Sequence, residues 1–249
     1  MTAELYERLG ATYRQARRAD PRIAVLVDAA IGEARSIVNV GAGTGSYEPA
    51  DRHVVAVEPA GAMRARRSEA AAPCVVASAE ALPFDDASID VAMGVYTDFH
   101  WSDRPRGIAE MKRVARHRVV LLTVDSAAAA NYWLIRDYFP EGRELFAPLA
   151  GLLLMLPGAE VRPVPIPQDC EDGFVQAFWK RPHSLLHPAV RSSMALFDRM
   201  PTDEVNSRIR RLRADLEDGT WKQRNNGLLD ETTADLGHRI VVWAHPRAA

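Results

Sequence analysis

The residues with the clearest potential for chemistry are a glycine-rich turn and a carboxylate that follows it. Gly41, Gly43 and Gly45 stand on alternate positions directly after the β-branched run of residues 36–40. Glycine lets the backbone turn with positive φ and leaves no Cβ between the chain and a ligand. Glu58 ends the next apolar run, so its carboxylate is expected beside the turn, where it can accept hydrogen bonds from both hydroxyls of a ribose. The pattern predicts a ligand that contains ribose.

The spacing of the glycines separates two classes of ligand. A dinucleotide-binding turn has its third glycine one position later, and Ser46 occupies that position here. A nucleotide-dependent enzyme of Rossmann type and a purely structural turn therefore remain alternatives at this point.

The elements that must position these residues follow from hydrophobic patterning. Short β-branched runs alternate with helical patterns in the first half of the chain, which predicts βα units and a parallel sheet with helices on both faces. Helices are predicted at residues 104–115, at the aromatic segment 131–139, and from an N-cap at Thr202 to a stop at Gly219. The predicted strands are residues 36–40, 54–58, 74–77, 89–93, 118–124, 160–166 and 238–244.

Composition narrows the class of protein. The chain has 249 residues, of which 47% are hydrophobic and 26% are charged, and its net charge is -2. A nucleic-acid partner is not expected, because such binders usually carry a basic excess. No apolar run reaches the length of a membrane span, so no membrane partner is expected either.

Cysteines and histidines give no metal or disulfide pattern. Cys74 and Cys170 stand far apart, which fits reduced thiols in the cytoplasm. His183 and His187 could share a helix face, but two histidines without a third ligand do not make a metal site, and none is predicted.

Four blocks in a fixed order carry a family resemblance. They are VGAGTGS at 40–46, VEPAGAM at 57–63, ASAEALPFDDASID at 77–90, and the pair HW at 100–101 with AEMKRV at 109–114. Together they resemble the class I S-adenosylmethionine-dependent methyltransferases, and the small-molecule branch with the ubiquinone and menaquinone biosynthesis enzymes is most similar. The resemblance covers residues 35–125 of the 249.

The resemblance implies an α/β fold, with a Rossmann-like, seven-stranded, mostly parallel sheet whose final strand is antiparallel, and S-adenosylmethionine as cofactor. A helical cap is expected from the aromatic segment and the long irregular segment that follows. The predicted organisation is a single domain, 1–249, that contains an N-terminal helical lid (1–30), a cofactor-binding core (31–125), a substrate-binding cap region with a late strand (126–237) and a closing strand (238–244).

The resemblance also assigns cofactor contacts. The glycines would pass under the methionine part and the ribose, residues 59 and 63 would pack near the adenine, and residues 95 and 96 would mark where cofactor and substrate meet. Glu80 could instead cap a helix, and the N-terminal segment could be an ordinary amphipathic helix. The predicted cofactor-binding residues are Asn39, Gly41, Ala42, Gly43, Gly45, Glu58, Pro59, Met63, Ala79, Glu80, Val95, Tyr96, Tyr13 and Arg17.

One departure from the family pattern concerns the position two before the first glycine. An acidic residue is usual there, and this chain has Asn39. Asparagine keeps a carbonyl acceptor but carries no charge for the ammonium of the methionine moiety. The sequence predicts weaker cofactor binding than an acidic residue would give.

His100 is the candidate general base, because an imidazole titrates near neutral pH and Asp98 or Asp103 could orient it. Packing and shaping of the cofactor site are the alternative. Trp101, Trp133 and Trp179 are the predicted substrate contacts, and Asp169, Asp172, Phe178 and Arg181 are further candidates for the acceptor pocket, with core packing as the alternative for the aromatics.

The predicted function is methyl transfer to a small organic molecule by in-line displacement. Proximity and exclusion of water are the main requirements of this reaction. A non-catalytic S-adenosylmethionine-binding protein is the first alternative, since the residue at 39 is not acidic, and a nucleotide-dependent enzyme is the second. The expected partner is a small-molecule substrate, and the protein is expected to be a cytoplasmic monomer or homodimer.

Overall fold

A computed structural model describes residues 17–192 and 194–245. Seven strands form one sheet, and two short strands form a separate antiparallel pair. The strands are β1 (Ser36–Val40), β2 (His53–Val57), β3 (Cys74–Val75), β4 (Ile89–Val95), β5 (Ala115–Val124), β6 (Glu160–Pro163), β7 (Ile166–Pro167), β8 (Thr233–Ala234) and β9 (His238–Ala244).

The order across the sheet is β3-β2-β1-β4-β5-β9-β6, and β7 pairs with β8. The first five strands pair in parallel, and β9 runs antiparallel between β5 and β6. The predicted seven-stranded, mostly parallel α/β fold is confirmed. The proline-containing β6 lies at the sheet edge, because a proline cannot donate a hydrogen bond to a second neighbouring strand.

Helices cover both faces of this sheet. They are α1 (Pro21–Ile31), α2 (Gly61–Arg64), α3 (Arg104–Val114), α4 (Ser126–Ala129), α5 (Leu149–Met155), α6 (Pro188–Arg191), α7 (Ala195–Asp198), α8 (Thr202–Glu217) and α9 (Thr220–Arg224). In β1, Ile37 joins the buried cluster of α1, whereas Val38 and Val40 join the cluster of α3 and α5. Alternate residues of one strand thus serve the two faces.

The N-terminal part of the described chain is core structure. Asp20 caps α1 by accepting a hydrogen bond from the Arg22 backbone at 2.9 Å, and Ile23 and Val27 are buried among the residues of one sheet face. Residues 21–30 of the predicted lid thus form most of a helix that packs on the sheet. The predicted cofactor contact Tyr13 lies outside the described residues.

Two helix predictions need correction. In the segment 131–139 the regular structure is a π-helical turn, Leu134–Tyr138, closed by a hydrogen bond from the Phe139 backbone to the Leu134 carbonyl at 2.8 Å. Thr202 is the first residue of α8, and no side chain caps that helix. Gly219 follows the helix with φ 83°, as expected of a C-terminal glycine.

Trp133 and Trp179 form the centre of the region that follows β5. Both are buried, and the indole Nε1 of Trp133 donates to the Trp179 carbonyl at 2.8 Å. The indole of Trp179 donates in turn to the carbonyls of Ile166 and Pro167 at 3.1 and 3.2 Å. The structure places both predicted substrate contacts in the core, where their indoles are hydrogen-bonded to backbone carbonyls.

Within the ranges that the structure describes, no helix combines the length and the apolar composition needed to cross a membrane.

The hydrogen bond of the Trp133 indole predicts a difference between two similar variants. Trp133→Phe leaves a buried carbonyl unpaired and should lower the free energy of unfolding by about 1–3 kcal/mol. Trp221 packs edge-on against Trp133 with ring centroids 5.3 Å apart, and its buried Nε1 has no hydrogen-bond partner in the described structure. Trp221→Phe is therefore the matched control and should cost less. Denaturant unfolding measures both, and equal costs would contradict the prediction.

Candidate functional site

A cavity of about 280 Å³ lies at the carboxyl edge of the sheet, over β1, β2 and β4. Parallel α/β sheets bind ligands at this edge. The structure brings most of the predicted cofactor residues together here, and His100 and Trp101 line the same cavity. The predicted residues that line it are Arg17, Asn39, Gly41, Ala42, Gly43, Glu58, Pro59, Met63, Ala79, Glu80, Val95, Tyr96, His100 and Trp101.

The glycine turn shapes the floor of this cavity. Gly41 has φ 67°, and a Cβ there would lie 1.9 Å from Thr97 Oγ1. Gly43 has φ 53°, and a Cβ there would have no atom within 4 Å, so its backbone faces open space. Gly45 is the exception among the three, since it faces the side chains of Glu48 and Arg67 and is not among the lining residues. The structure thus places this predicted cofactor residue outside the cavity lining, and its φ of 94° shows that it serves the turn.

Glu58 is held by two backbone donors. Its Oε2 accepts from the Gly43 N–H and its Oε1 from the Ala60 N–H, each at 2.8 Å. An ionised carboxylate can accept about four hydrogen bonds. Each oxygen therefore retains acceptor capacity, which fits the two hydroxyls of a ribose.

Asn39 is buried beneath the turn. Its Nδ2 donates to Glu48 Oε1 at 3.0 Å, and Glu48 forms a buried ion pair with Arg67 at 2.8 Å. The Oδ1 of Asn39 is buried and has no hydrogen-bond partner among the described residues. An unsatisfied buried carbonyl beside a ligand cavity fits a ligand that brings a donor, such as an ammonium group.

Glu80 and Trp101 connect the cavity to α3. Glu80 accepts hydrogen bonds from the Ser102 hydroxyl at 2.8 Å and the Asp103 N–H at 3.1 Å. Burial alone would raise the pKa of this carboxyl, but these hydrogen bonds bring the pKa below its usual range. The Trp101 indole donates to Thr97 Oγ1 at 3.1 Å, and its ring lies so close to Gly107 that a Cβ there would be 2.4 Å away.

Arg17 joins three parts of the molecule. Its Nε donates to Asp172 Oδ1 at 2.6 Å, and the Tyr47 hydroxyl donates to Asp172 Oδ2 at 2.9 Å. Asp172 is fully buried, so the ion pair links the N-terminal segment, the glycine turn and the segment after β7. The Arg17 guanidinium also lies 5.9 Å from the centre of the Tyr96 ring. The predicted acceptor-pocket candidate Asp172 is thus a partner of Arg17.

A second, smaller chamber of about 80 Å³ adjoins the first and shares Arg17, Tyr96 and His100 with it. Most of its other lining residues are apolar, and Gln176 and His238 add polar groups. These residues were not predicted from the sequence, although three of them lie between the predicted candidates Asp169 and Arg181. The remaining lining residues are Phe99, Val124, Leu145, Phe146, Phe174, Val175, Met194, Ala195 and Leu196.

The predicted acceptor-pocket candidates in the segment 169–181 make other contacts in the structure. Asp169 is exposed and pairs with Arg22 at 2.7 Å, and Arg181 donates to the Cys170 carbonyl at 2.7 Å. Phe178 packs against the core and Trp101 lines only the first chamber, so neither is among the residues that line the second chamber.

His100 stands at the junction of the two chambers. It ends a 3₁₀ turn, Asp98–His100, and its ring lies 4.4 Å from that of Phe99. Burial, reinforced by the positive charges of Arg199 and Arg17, lowers the pKa of the imidazole to about 3. The ring is therefore neutral at physiological pH. Asp98 pairs with Arg104, and Asp103 caps α3.

The contact between Asn39 and Glu48 predicts that the two positions are coupled. In Asn39→Asp two carboxylates would face each other at the present 3.0 Å, which should lower the free energy of unfolding by about 2 kcal/mol. Adding Glu48→Gln removes the repulsion, so the double variant should be more stable than the sum of the single effects predicts. Denaturant unfolding of the three variants at pH 8 measures the coupling, and additive effects would contradict it.

Comparison with known proteins agrees with this geometry. A family model described as a methyltransferase domain matches residues 38–123. A search of curated proteins finds no match. Two solved structures that share 16% identity with the chain show the fold: the YcgJ protein of Bacillus subtilis (92% of this chain, 99% of that chain, TM-score 0.53) and the [4+2]-cyclase SpnF (90% and 80%, TM-score 0.54).

A third solved structure is more similar. It is a protein of Anabaena variabilis assigned as a methyltransferase from an antibiotic biosynthesis pathway. The identity is 30%, the match covers 92% of this chain and 99% of that chain, and the TM-score is 0.85. The glycine turn, Glu58 and Asn39 lie within residues 38–123, which the family model matches. The chain therefore belongs to the class I S-adenosylmethionine-dependent methyltransferases, and S-adenosylmethionine is its cofactor.

Proposed function

We propose that this enzyme methylates a small organic molecule whose reacting atom enters from the second chamber. The observation that carries the proposal is the junction of the two chambers at Arg17, Tyr96 and His100. A cofactor in the first chamber supplies an electrophilic methyl group on a sulfonium, and an in-line attack must come from the opposite side. The apolar walls of the second chamber exclude water, which the reaction requires.

The size of the chamber and the overall charge support a small acceptor. The second chamber holds about 80 Å³, and the net charge of -2 provides no basic excess for a nucleic acid. The Anabaena relative is assigned to an antibiotic biosynthesis pathway, and we infer an acceptor of comparable kind, a small biosynthetic intermediate. A cytoplasmic monomer or homodimer remains our expectation, and the two free cysteines fit a reducing compartment.

The first chamber supports specific roles toward the cofactor. The free acceptor capacity of Glu58 would receive the ribose hydroxyls, and the orphaned Oδ1 of Asn39 would accept from the ammonium of the methionine part. Pro59, Met63 and Ala79 would flank the adenine. Asn39 is predicted to bind the cofactor more weakly than an acidic residue at this position would, and this stays a prediction.

Methyl transfer to a panel of small molecules tests the proposed function. The protein is incubated with S-adenosylmethionine labelled in its methyl group and with small carboxylic acids, phenols, amines and thiols. Label in a small molecule supports the proposal. Cofactor binding without label transfer to any of them would favour the alternative, a non-catalytic S-adenosylmethionine-binding protein.

Glu58 predicts a selective loss of cofactor binding. Glu58→Ala removes the acceptors for both ribose hydroxyls and should raise the Kd for S-adenosylmethionine by about 10- to 100-fold. Calorimetric titration with S-adenosylmethionine, S-adenosylhomocysteine and NAD measures this change, and NAD should not bind. Glu69→Ala, at an exposed position outside the cavity lining, is the control. An unchanged Kd in Glu58→Ala would contradict the ribose contact.

His100 is a candidate for positioning more than for proton transfer. A pKa of about 3 makes the buried imidazole a weak proton acceptor, which disfavours the predicted base role. We propose that the ring keeps the junction shaped and dry, and that it stays neutral over the working pH range.

The two roles of His100 predict different kinetics. With a positioning role, His100→Gln should lower kcat by less than about 10-fold, and no ionisation of this residue should affect the rate between pH 5 and 8. Rates of S-adenosylhomocysteine formation across this pH range check both points. A loss of more than about 100-fold, with a pH dependence that disappears in the variant, would restore the base role.

A further inference from the structure

Two residues that line the second chamber each have a buried nitrogen atom without a hydrogen-bond partner in the described structure. The atoms are Nε2 of His238 and Nε2 of Gln176, and each residue is 1% exposed. We propose that these two atoms are hydrogen-bond donors that hold an anionic oxygen of the methyl acceptor, so that the enzyme selects carboxylates and phenolates over amines. The inference rests on the proposed function, because it takes the second chamber as the acceptor site.

Tyr96 determines which nitrogen of His238 carries the proton. The Tyr96 hydroxyl lies 2.8 Å from His238 Nδ1, and it makes no other hydrogen bond within residues 17–192 and 194–245. Burial raises the pKa of Tyr96 well above its usual value, so the hydroxyl keeps its proton and is able to donate it to Nδ1. Burial also lowers the pKa of His238 to about 3, so the ring holds a single proton. The proposal assigns that proton to Nε2, the tautomer in which Nδ1 accepts from Tyr96 and Nε2 is a donor.

The two donors lie in surroundings that cannot satisfy them. Phe99, Phe146 and Phe174 line the same chamber and offer no lone pair to an N–H group. A buried donor without an acceptor costs about 1–3 kcal/mol, so native structures rarely keep two of them together without a function. A carboxylate has two oxygens and about four acceptor sites, so it has the acceptor capacity for both donors.

The charges around the chamber favour an anion. Arg17 is a lining residue, and no aspartate or glutamate is among the described lining residues. Asp172 is close by, but it is engaged by Arg17 and by the Tyr47 hydroxyl. An ammonium group in this chamber would meet two N–H donors and no free carboxylate, whereas an oxygen anion would be stabilised by both donors.

An anionic acceptor also fits the neutral histidines. When the ionised oxygen is the nucleophile, its lone pair forms the new O–C bond, the C–S bond breaks, and the electrons of that bond remain on sulfur. No proton has to leave, so the reaction does not require a base with a pKa near neutrality. His238 and Gln176 are therefore assigned as positioning and specificity-determining residues.

The tautomer of His238 can be measured without any acceptor. Nuclear magnetic resonance of protein labelled with ¹⁵N-histidine distinguishes a protonated from a bare ring nitrogen. We expect His238 to show a protonated Nε2 and a bare Nδ1 from pH 7 down to pH 5. Tyr96→Phe should shift the ring toward a mixture of tautomers, because the hydroxyl that selects Nδ1 is gone. A bare Nε2 in the unaltered protein would overturn the proposal, whatever the substrate.

Binding of two matched probes tests the selectivity. Benzoate and benzylamine have the same ring and opposite charges at pH 7, and their Kd values are measured in the presence of saturating S-adenosylhomocysteine. Benzoate should bind at least about 10-fold more tightly than benzylamine. Equal binding, or tighter binding of benzylamine, would overturn the inference while leaving a small-molecule site intact. Binding of neither probe would count against the proposed function as well.

Variants locate the donors. His238→Phe and Gln176→Leu should each raise the Kd for benzoate by about 10-fold or more, whereas His238→Gln keeps an N–H group and should raise it by less than about 3-fold. His183→Phe, at an exposed histidine, is the matched control and should leave the Kd unchanged. The Kd for S-adenosylhomocysteine confirms folding of each variant. Unaltered benzoate binding in both folded variants would overturn the roles of His238 and Gln176.

Discussion

The close approach of Gly41 to Thr97 is the contact on which the rest of the site depends. A Cβ at position 41 would lie 1.9 Å from the Thr97 hydroxyl oxygen, so the ends of β1 and β4 can meet only because no side chain lies between them. The Gly41 and Ala42 N–H groups then reach the Val57 carbonyl of β2 at 2.8 and 3.0 Å. Three adjacent strand ends are thereby joined, and the cavity opens directly above them.

A buried carboxylate joins the second half of the chain to this floor. Asp172 accepts from Tyr47 of the glycine turn and pairs with Arg17, although it comes more than a hundred residues after the turn. A buried ion pair contributes little net stability, but removing one partner costs about 3–5 kcal/mol because the other charge stays buried. The pair therefore acts mainly as a constraint, since it determines where the segment after β7 must lie and so where the second chamber opens.

Local patterns predicted the sheet and the first chamber because both depend on short stretches of sequence. The strands are β-branched runs, the glycines follow β1 directly, and Glu58 directly follows β2, so spacing alone places them together. The second chamber could not be predicted in this way. Its polar groups come from the N-terminal segment, from the residues after β4, from the segment after β7 and from the start of β9, and only tertiary packing brings them together.

The aromatic side chains could not be placed from the sequence for the same reason, because their positions depend on tertiary packing. An aromatic residue in a loop-rich segment can line a pocket or fill a core, and sequence does not distinguish the two. Trp133 and Trp179 fill the core because carbonyls lie within reach of their indole N–H groups, whereas Phe174 lines the chamber. His100 lines the first chamber, but its chemistry depends on burial, which short motifs do not report.

The buried histidines that line the chambers are neutral, which suits a positively charged cofactor. S-adenosylmethionine brings a sulfonium, and a cation beside a buried imidazole opposes protonation of that ring. His100 and His238 are already kept neutral by burial, so neither needs to lose a proton when the cofactor binds.

Because Asp172 is committed to Arg17, the groups that remain for the acceptor are N–H donors. A negative acceptor would then approach the positive sulfur through an apolar chamber, where their attraction is screened far less than in water. Methyl transfer neutralises the charge pair formed by the acceptor anion and the sulfonium. The site must therefore not bind the two ions more tightly than the transition state. A few neutral N–H donors meet that requirement better than a buried cation beside the acceptor would.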